Sequence, residues 1–221
     1  MRSFPRQLQL VGEILVSCGL VVLLFMAYMY WGTAERTASA QRGFARELQG
    51  EWASPQTGLV ALADPGTVAI GRPFALIRIP RFGRNWQFAI VQGTGLPQLA
   101  LGPGHVPGTA LPGQLGNFAV AGHRVTAGNP FWSLPSLRRG DLVDVLTGAG
   151  TYIYRIVGRP VLVSPADSAM LAPVPGQPGA APHRRLITLI TCDPAWTGTS
   201  RVIATGVLVR AQPRAAAGGG R

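Results

Sequence analysis

A single cysteine stands where two apolar segments meet, and it is the first candidate for chemistry. Cys192 ends the apolar run Leu186–Cys192, and Arg201 begins the next run, Arg201–Arg210. If these runs pair as antiparallel strands, the end of the first lies beside the start of the second, so Cys192 and Arg201 become neighbours. A guanidinium near a thiol favours the nucleophilic thiolate. It can also donate hydrogen bonds to an oxyanion that forms on an attacked carbonyl.

A nucleophilic cysteine generally works with a histidine that moves protons. Of the three histidines, His123 ends the strand-like run Asn117–His123, His105 lies in the turn-rich segment GPGHVPGT, and His183 lies in a proline-rich segment. We select His123 as the partner because a strand end can present a reactive side chain, and we keep His105 as the alternative. The pairing is non-local, so residue spacing alone does not establish it.

Other roles for these residues stay open on the residue pattern. A lone cysteine in a strand often acts as a small buried hydrophobe. A disulfide with Cys18 is not expected, because Cys18 lies in an apolar N-terminal run. A zinc site built from Cys192 and the histidines lacks compact ligand spacing, and no acidic cluster indicates calcium. Arg201 alone is also compatible with a solvated charge at a strand end.

The elements that must position these residues have the composition of strands. From Arg72 onward, short segments rich in Val, Ile, Tyr and Thr alternate with Gly and Pro, which predicts an all-β domain, either a closed barrel or a sandwich. Gly148–Gly150 predicts a hairpin turn, Phe131–Leu137 a single helical turn, and Val163–His183 a long functional loop. The predicted strands are Phe74–Ile79, Gln87–Gln92, Asn117–His123, Leu142–Leu146, Thr151–Val163, Leu186–Cys192 and Arg201–Arg210.

The N-terminal region predicts a membrane anchor. Ile14–Trp31 is uncharged, just long enough to span a bilayer, and ends in aromatic residues. Arg2 and Arg6 precede it, as in an export signal. We predict a single-pass signal-anchor with residues 1–13 in the cytoplasm and the remainder exported; cleavage near Ala38–Ala40 is the alternative. Residues 32–71 are expected to form a stem with a short helix at Thr37–Gln49. Residues 72–211 would be the catalytic domain and 212–221 a disordered tail.

The charge balance limits the possible partners. The formal net charge is +11, and every one of the 20 Lys or Arg positions is an arginine. Such a chain is attracted to nucleic acid, anionic lipid or an anionic cell envelope. The arginines are scattered and no nucleic-acid motif is present. We therefore expect a membrane or envelope partner and no nucleic acid.

Three motifs in the same order resemble one enzyme family. TLITC, Thr188–Cys192, is similar to the TLxTC signature of sortases, the cysteine transpeptidases of Gram-positive cell envelopes. FAVAGHR, Phe118–Arg124, resembles the sortase strand that ends in the catalytic histidine, and SRV, Ser200–Val202, occupies the place of the sortase arginine. The resemblance covers Arg72–Arg210 and is strongest to the class E housekeeping sortases of high-GC actinobacteria. It also extends through RIPRFG, GTALPGQLGN and GDLVDVLTG.

The resemblance implies a sortase β-barrel of about eight strands with short helices. Cys192 would attack the Thr–Gly carbonyl of an LPxTG- or LAxTG-like sorting signal on a secreted protein, His123 would move protons, and Arg201 would stabilise the carbonyl or oxyanion. The acceptor would be an amine of the peptidoglycan precursor lipid II or of a pilin, and no cofactor is needed. Thr191, His105 and Val106 are the expected substrate-binding residues. Val106 stands where related sequences often carry tyrosine, which bears on the LAxTG preference.

Two alternatives belong to other classes. A non-catalytic, membrane-tethered β-domain that binds cell-wall polymer or a partner protein would have an unreactive thiol at Cys192. An L,D-transpeptidase also uses cysteine, but it needs a His-Gly-Cys motif that TLITC does not contain.

Overall fold

The computed structural model describes residues 6–28, 32–53 and 68–214. Two long helices come first, α1 (Arg6–Ala27) and α2 (Thr33–Ala53), and a short helix α3 (Leu96–Leu99) lies between the second and third strands. The described strands are β1 (Pro73–Arg78), β2 (Gln87–Gln92), β3 (Gly104–His105), β4 (Gly116–Ala121), β5 (Leu142–Leu146), β6 (Gly150–Ile156), β7 (Val161–Val163), β8 (Arg185–Asp193) and β9 (Ser200–Pro213).

Eight of these strands close into a barrel. Their order is β6-β5-β1-β2-β3-β4-β8-β9, and pairing of β6 with β9 closes the ring. The strand β9 is long enough to pair with β6 over Gly206–Pro213 and with β7 over Arg201–Ile203. The prediction of a closed barrel of about eight strands is therefore confirmed, with β7 as a short addition beside the start of β9.

The barrel interior is filled by residues that alternate along each strand. Phe118 and Val120 of β4 face inward, as do Ile187 and Leu189 of β8, and all four are buried. This period of two is what a pleated strand imposes when one face is dry. Each such side chain contributes roughly 1.5–3 kcal/mol on burial. Residues at alternate positions of β4 and β8 therefore face away from the barrel interior.

The predicted strands match the observed ones, with one exception. Thr151–Val163 was expected to be continuous but divides into β6 and β7. Gly158 and Pro160 separate the two, and proline cannot donate to a strand ladder. The two-residue strand β3 was not predicted. The hairpin at Gly148–Gly150 is confirmed by the hydrogen bond from Thr147 N to Gly150 O, 2.8 Å, and the expected helical turn after Pro130 is a 3-10 turn at Leu134–Ser136.

The helix α2 packs against the barrel wall. It is longer than the predicted Thr37–Gln49 helix, and Leu48 is 0% exposed in a cluster with Leu76 and Ala89. Gln41 donates from Nε2 to the Leu101 carbonyl at 2.8 Å and accepts at Oε1 from the Ala89 N–H at 2.5 Å. This part of the predicted stem is thus packed against the barrel. Residues 54–67 lie outside the described residues.

One described helix, α1, is long and apolar enough to cross a membrane. It has 22 residues, and none of its side chains is buried against the rest of the protein. It begins before the predicted start at Ile14. Residues 29–31 of the predicted span and residues 215–221 of the predicted tail lie outside the described residues.

Candidate active site

The pairing of β8 with β9 places Cys192 opposite Arg201. The two are cross-strand partners in the antiparallel register, as predicted, and directly paired residues present their side chains on the same face of a sheet. The loop that joins the strands folds back over both. A Cβ placed on Gly198 would lie 3.6 Å from Cys192 Sγ and 3.8 Å from Arg201 Nη1. The thiol and the guanidinium therefore flank one point of the loop.

The parallel pairing of β4 with β8 brings His123 to the same end of the barrel. Ala121 aligns with Ile190, and the Gly122 N–H donates to the Ile190 carbonyl at 3.0 Å. His123 is two residues beyond Ala121, and Cys192 is two residues beyond Ile190. Both residues therefore lie just past the last contacts between β4 and β8, at the same end of the barrel. The structure thus brings together the three residues selected from the sequence.

The position of His123 is fixed by its neighbours. The Phe131 N–H donates to the His123 carbonyl at 3.1 Å, and the Phe131 ring lies directly against Gly122. A Cβ on Gly122 would come within 2.7 Å of Phe131 Cδ2, so the glycine before the histidine permits this close contact. Burial lowers the pKa of the His123 imidazole below its usual value. His123 is therefore neutral at neutral pH and able to accept a proton.

The Arg201 guanidinium is held by the backbone of the β8–β9 loop. Its Nη1 donates to the Gly198 carbonyl at 2.7 Å and to the Ser200 carbonyl at 3.0 Å. Gly198 has a φ of +63°, a conformation that favours glycine. Since a guanidinium has five N–H donors, Arg201 retains others for a substrate oxygen. Loop and strand together pre-orient a positive donor group beside the thiol.

A second arginine lies at the site and was not identified from the sequence. Arg124 follows His123, Asp193 follows Cys192, and their side chains form an ion pair. The available signal was their adjacency to the two candidate catalytic residues. That adjacency predicts an ion pair only when the parallel pairing of β4 and β8 is already known.

The structure places His105 inside the barrel and not at the site. It is 0% exposed, and its ring packs against Phe74 and Phe118. Its Nδ1 lies 2.6 Å from Gln92 Oε1 and its Nε2 lies 2.9 Å from Thr109 Oγ1. Burial lowers the pKa of His105 to about 4. The expectations that His105 contacts substrate or replaces His123 are therefore corrected, because no substrate group reaches a sealed ring.

The other expected substrate-binding residues differ in exposure. Thr191 is 2% exposed, and its hydroxyl donates to the Gly122 carbonyl at 2.8 Å. This bond joins the nucleophile strand to the histidine strand, so we propose that Thr191 positions the site and does not bind substrate. Val106 is half-buried, and its role in substrate binding stays a prediction. His183 lines a pocket of about 230 Å³ with Arg184 and Arg185, at the opposite end of β8 from Cys192.

Metal and disulfide chemistry find no support in the part of the chain that the structure describes. No group of three or more His, Cys, Asp or Glu residues there is arranged to hold a metal ion. Both cysteines, Cys18 and Cys192, are free thiols.

Comparison with known proteins agrees with this geometry. The sortase domain family matches residues 77–209. Sortase SrtE1 of Streptomyces coelicolor is 34% identical over 211 residues, which is 92% of this chain but 58% of that protein. The chain therefore spans little more than half the length of this relative.

Solved structures show the same likeness in three dimensions. Sortase E from Streptomyces avermitilis superposes with a TM-score of 0.60 at 41% identity, covering 66% of this chain and 93% of that one. Sortase E1 from Streptomyces coelicolor, solved with a tripeptide in its active site, gives a TM-score of 0.60 at 36% identity over 66% of this chain and 94% of that one. With the barrel, the Cys192–Arg201 pairing and the placement of His123, these matches show that the chain belongs to the sortase family, whose members are cysteine transpeptidases.

Proposed function

We propose that this protein is a membrane-anchored cysteine transpeptidase that cleaves a sorting signal between Thr and Gly and transfers the released acyl group to an amine. The observation that carries the proposal is the meeting of Cys192, Arg201 and His123 at one end of the barrel. Two strand pairings produce this meeting, the antiparallel β8–β9 pair and the parallel β4–β8 pair.

The first half-reaction forms a thioester. Neutral His123 accepts the thiol proton as Cys192 Sγ attacks the carbonyl carbon of the scissile Thr–Gly bond. The negative charge that develops on the carbonyl oxygen receives hydrogen bonds from Arg201, which loop contacts already orient. When the tetrahedral intermediate collapses, the C–N bond breaks and His123 gives its proton to the leaving glycine amine. The lowered pKa of His123 suits this sequence of base followed by acid.

The second half-reaction reverses the roles. An incoming amine attacks the thioester carbonyl, His123 takes a proton from that amine, and the C–S bond breaks as the proton returns to Cys192. The product carries a new amide bond, and the enzyme is restored. Nothing in this sequence needs a redox step, since atoms and protons balance among peptide, amine, Cys192 and His123.

The proposed substrates are secreted proteins with a C-terminal LPxTG- or LAxTG-like signal. Support comes from membership of the family and from the tripeptide bound in the active site of sortase E1 from Streptomyces coelicolor. We infer that the second residue of the motif, Pro or Ala, is read partly by the segment around Val106, which departs from the tyrosine often found in related sequences. The proposed acceptor is an amine of lipid II or of a pilin lysine.

The proposed location is the cell membrane, with α1 as the single span and the barrel outside. Support comes from the length and apolar character of α1. A formal net charge of +11 would additionally draw the protein towards an anionic lipid surface or envelope. Tethering would hold the barrel where exported proteins emerge.

The test is cleavage of fluorogenic peptides by the full chain in detergent micelles. We expect turnover of LPxTG or LAxTG peptides, stimulated by an added amine, and no turnover by Cys192→Ala. A panel that varies only the second residue reports the Pro or Ala preference. A folded wild type that turns over no sorting peptide, and whose Cys192 thiol does not react with a thiol-specific reagent, would contradict the proposed activity and favour a non-catalytic β-domain.

A further inference from the structure

The residues that directly follow the proposed acid–base and nucleophile are joined by an ion pair. Arg124 Nη1 donates to Asp193 Oδ1 and lies 3.4 Å from the Cys192 carbonyl oxygen. The Arg124 and Asp193 side chains are 17% and 24% exposed, so solvent screens the pair only partly. The contact joins the residue that follows His123 to the residue that follows Cys192.

Regular structure ends just before this point. β4 ends at Ala121, and the last contacts that tie it to β8 are the backbone bond from Gly122 to Ile190 and the side-chain bond from Thr191 to Gly122. Neither bond includes His123 or Cys192 itself. Beyond these bonds, the Arg124 side chain links the two strand ends through its contacts with Asp193 and the Cys192 carbonyl.

The chain after Arg124 is not held by regular secondary structure. Ala127 and Asn129 have φ values of +52° and +45°, in the left-handed region, and Gly128 between them has +71°. Such a conformation is unfavourable for a residue with a Cβ unless neighbouring contacts impose it. Backbone bonds from the Asn129 N–H to the Thr126 carbonyl, 2.9 Å, and from the Phe131 N–H to the His123 carbonyl, 3.1 Å, hold this loop. At its start, the Arg124 side chain adds a contact to the end of β8.

The surroundings of Arg124 suit a planar guanidinium. Its Cζ lies 6.0 Å from the centroid of the Trp132 ring, while Nη1 reaches Asp193. Its Nε is buried and has no hydrogen-bond partner in the described structure. Lysine cannot contact a ring face and a carboxylate with the same planar group. Burying a charged group that keeps one unpaired donor costs stability. We therefore look for a functional reason for Arg124.

The ion pair also sets the charge beside the nucleophile. A lone Asp193 carboxylate would oppose the negative charge that develops on Cys192 sulfur and on the substrate oxyanion. Arg124 neutralises that carboxylate. Because Nη1 of Arg124 is engaged with Asp193 and that of Arg201 with the β8–β9 loop, the two arginines have separate tasks.

We propose that Arg124 and Asp193 are positioning residues whose ion pair fixes the ends of β4 and β8, and so holds the His123 imidazole within proton-transfer reach of the Cys192 thiol. The inference rests on the proposed transpeptidase function. A displacement of about 1 Å at a reacting pair can reduce the rate by about 100-fold. The loss should appear in kcat and not in KM, since neither residue is proposed to bind the sorting peptide.

The test is a double-mutant cycle on the full chain in micelles with Arg124→Met, Asp193→Asn and the double variant. We expect each single variant to lower kcat by about 10- to 100-fold with KM within about twofold, as for a lost alignment. The double variant should be no slower than the slower single, because both changes break one contact. Arg124→Lys should recover only part of the rate.

A matched ion pair that joins neither His123 nor Cys192 to a neighbouring strand serves as the control. Arg81 and Asp141 are similarly buried, at 31% and 19% exposure, and Arg81→Met should leave kcat within about twofold. If Arg124→Met does not fold, the near-isosteric Asp193→Asn carries the test. Wild-type kcat in folded Arg124→Met or Asp193→Asn, with Cys192→Ala inactive, would overturn the inference and leave the proposed function standing. An inactive wild type would overturn both.

Discussion

Two histidines belong to neighbouring parts of the barrel, one on β3 and one just beyond its partner strand β4, yet their environments differ completely. His105 belongs to β3, where its ring is sealed in the interior and its nitrogens are occupied by Gln92 and Thr109. His123 lies just beyond β4, half-buried at the end of the barrel that also holds Cys192. Burial lowers the pKa of both imidazoles.

The difference shows that access, and not a shifted pKa, separates a reactive histidine from a structural one. A neutral imidazole at His105 serves the packing of the interior, because no substrate can reach it. We propose that a neutral imidazole at His123 serves proton transfer, because the Cys192 thiol and the Arg201 guanidinium lie at the same end of the barrel. The experiments below test this division, beginning with the largest expected effect.

Replacing the two histidines should separate chemistry from packing. His123→Ala should lower kcat/KM by about 10²- to 10⁴-fold, the usual contribution of a general acid–base group. His105→Gln keeps a polar side chain in the interior and should leave kcat/KM within about threefold at pH 7.5 and low temperature. Peptide cleavage measures both. A loss in His105→Gln as large as that in His123→Ala, with the fold intact, would break the division.

The guanidinium on the reactive face should matter nearly as much. Arg201→Ala is expected to lower kcat by about 10²- to 10³-fold, as for a lost oxyanion donor. Arg201→Lys should restore part of this loss, because the charge returns without the planar donor geometry. The matched control is Arg210→Ala, on an exposed part of the same strand. Equal activity of Arg201→Ala and Arg210→Ala would contradict the assignment.

Lowering the pH should reduce the free energy of unfolding through protonation of the interior histidine, His105. The folded protein holds the pKa of His105 at about 4 against 6.5 for the free side chain, so protonation favours the unfolded chain. Stability should be unaffected by this group above pH 6.5 and should fall as the pH drops towards 4, by about 3 kcal/mol in total. Urea unfolding from pH 7.5 to 4 measures the slope.

In the same acid series, His105→Gln should have a flatter slope than the wild type, whatever its absolute stability. His123 also has a lowered pKa and acts in the same direction, so His123→Gln is the matched comparison. A wild-type slope in His105→Gln would show that the interior ring is not the acid-sensitive group.

The stem helix should contribute stability without entering the chemistry. Leu48→Ala removes a fully buried side chain from the contact with Leu76 and Ala89 and should reduce the free energy of unfolding by about 2 kcal/mol. The kcat of the folded protein should stay within twofold. The control Leu96→Ala changes a leucine that is 80% exposed and should alter neither quantity. No loss of stability in Leu48→Ala would mean that α2 is a linker after all.

The sequence was most informative where contacts are local in the chain. The β8–β9 pairing joins consecutive strands, so the Cys192–Arg201 register could be inferred from two apolar runs and the loop between them. The residues favoured His123 over His105 because His123 ends a strand-like run, and the resemblance to a family agreed with that choice. Neither showed which strand end meets β8, and the parallel β4–β8 register now supplies that contact.

Features that depend on non-local packing were missed or mispredicted. The Arg124–Asp193 ion pair joins residues 69 positions apart through a parallel pairing that no turn signal announces. The packing of α2 depends on a complementary surface formed by Leu76 and Ala89, which lie on two different strands. The break between β6 and β7 was also missed, but it does not depend on non-local packing. Gly158 and Pro160 indicate it in the sequence.

The most direct test of the account is a search for the thioester on Cys192. The full chain in micelles is mixed with a sorting peptide without added amine, quenched in acid and measured by intact and peptide-level mass spectrometry. We predict an adduct on Cys192 with the mass of the peptide fragment that ends in Thr. Hydroxylamine should remove this adduct, and Cys192→Ala should not form it. The adduct should accumulate when His123 is intact. Cleavage by Cys192→Ala at the wild-type rate, or an adduct on any other residue, would contradict the account.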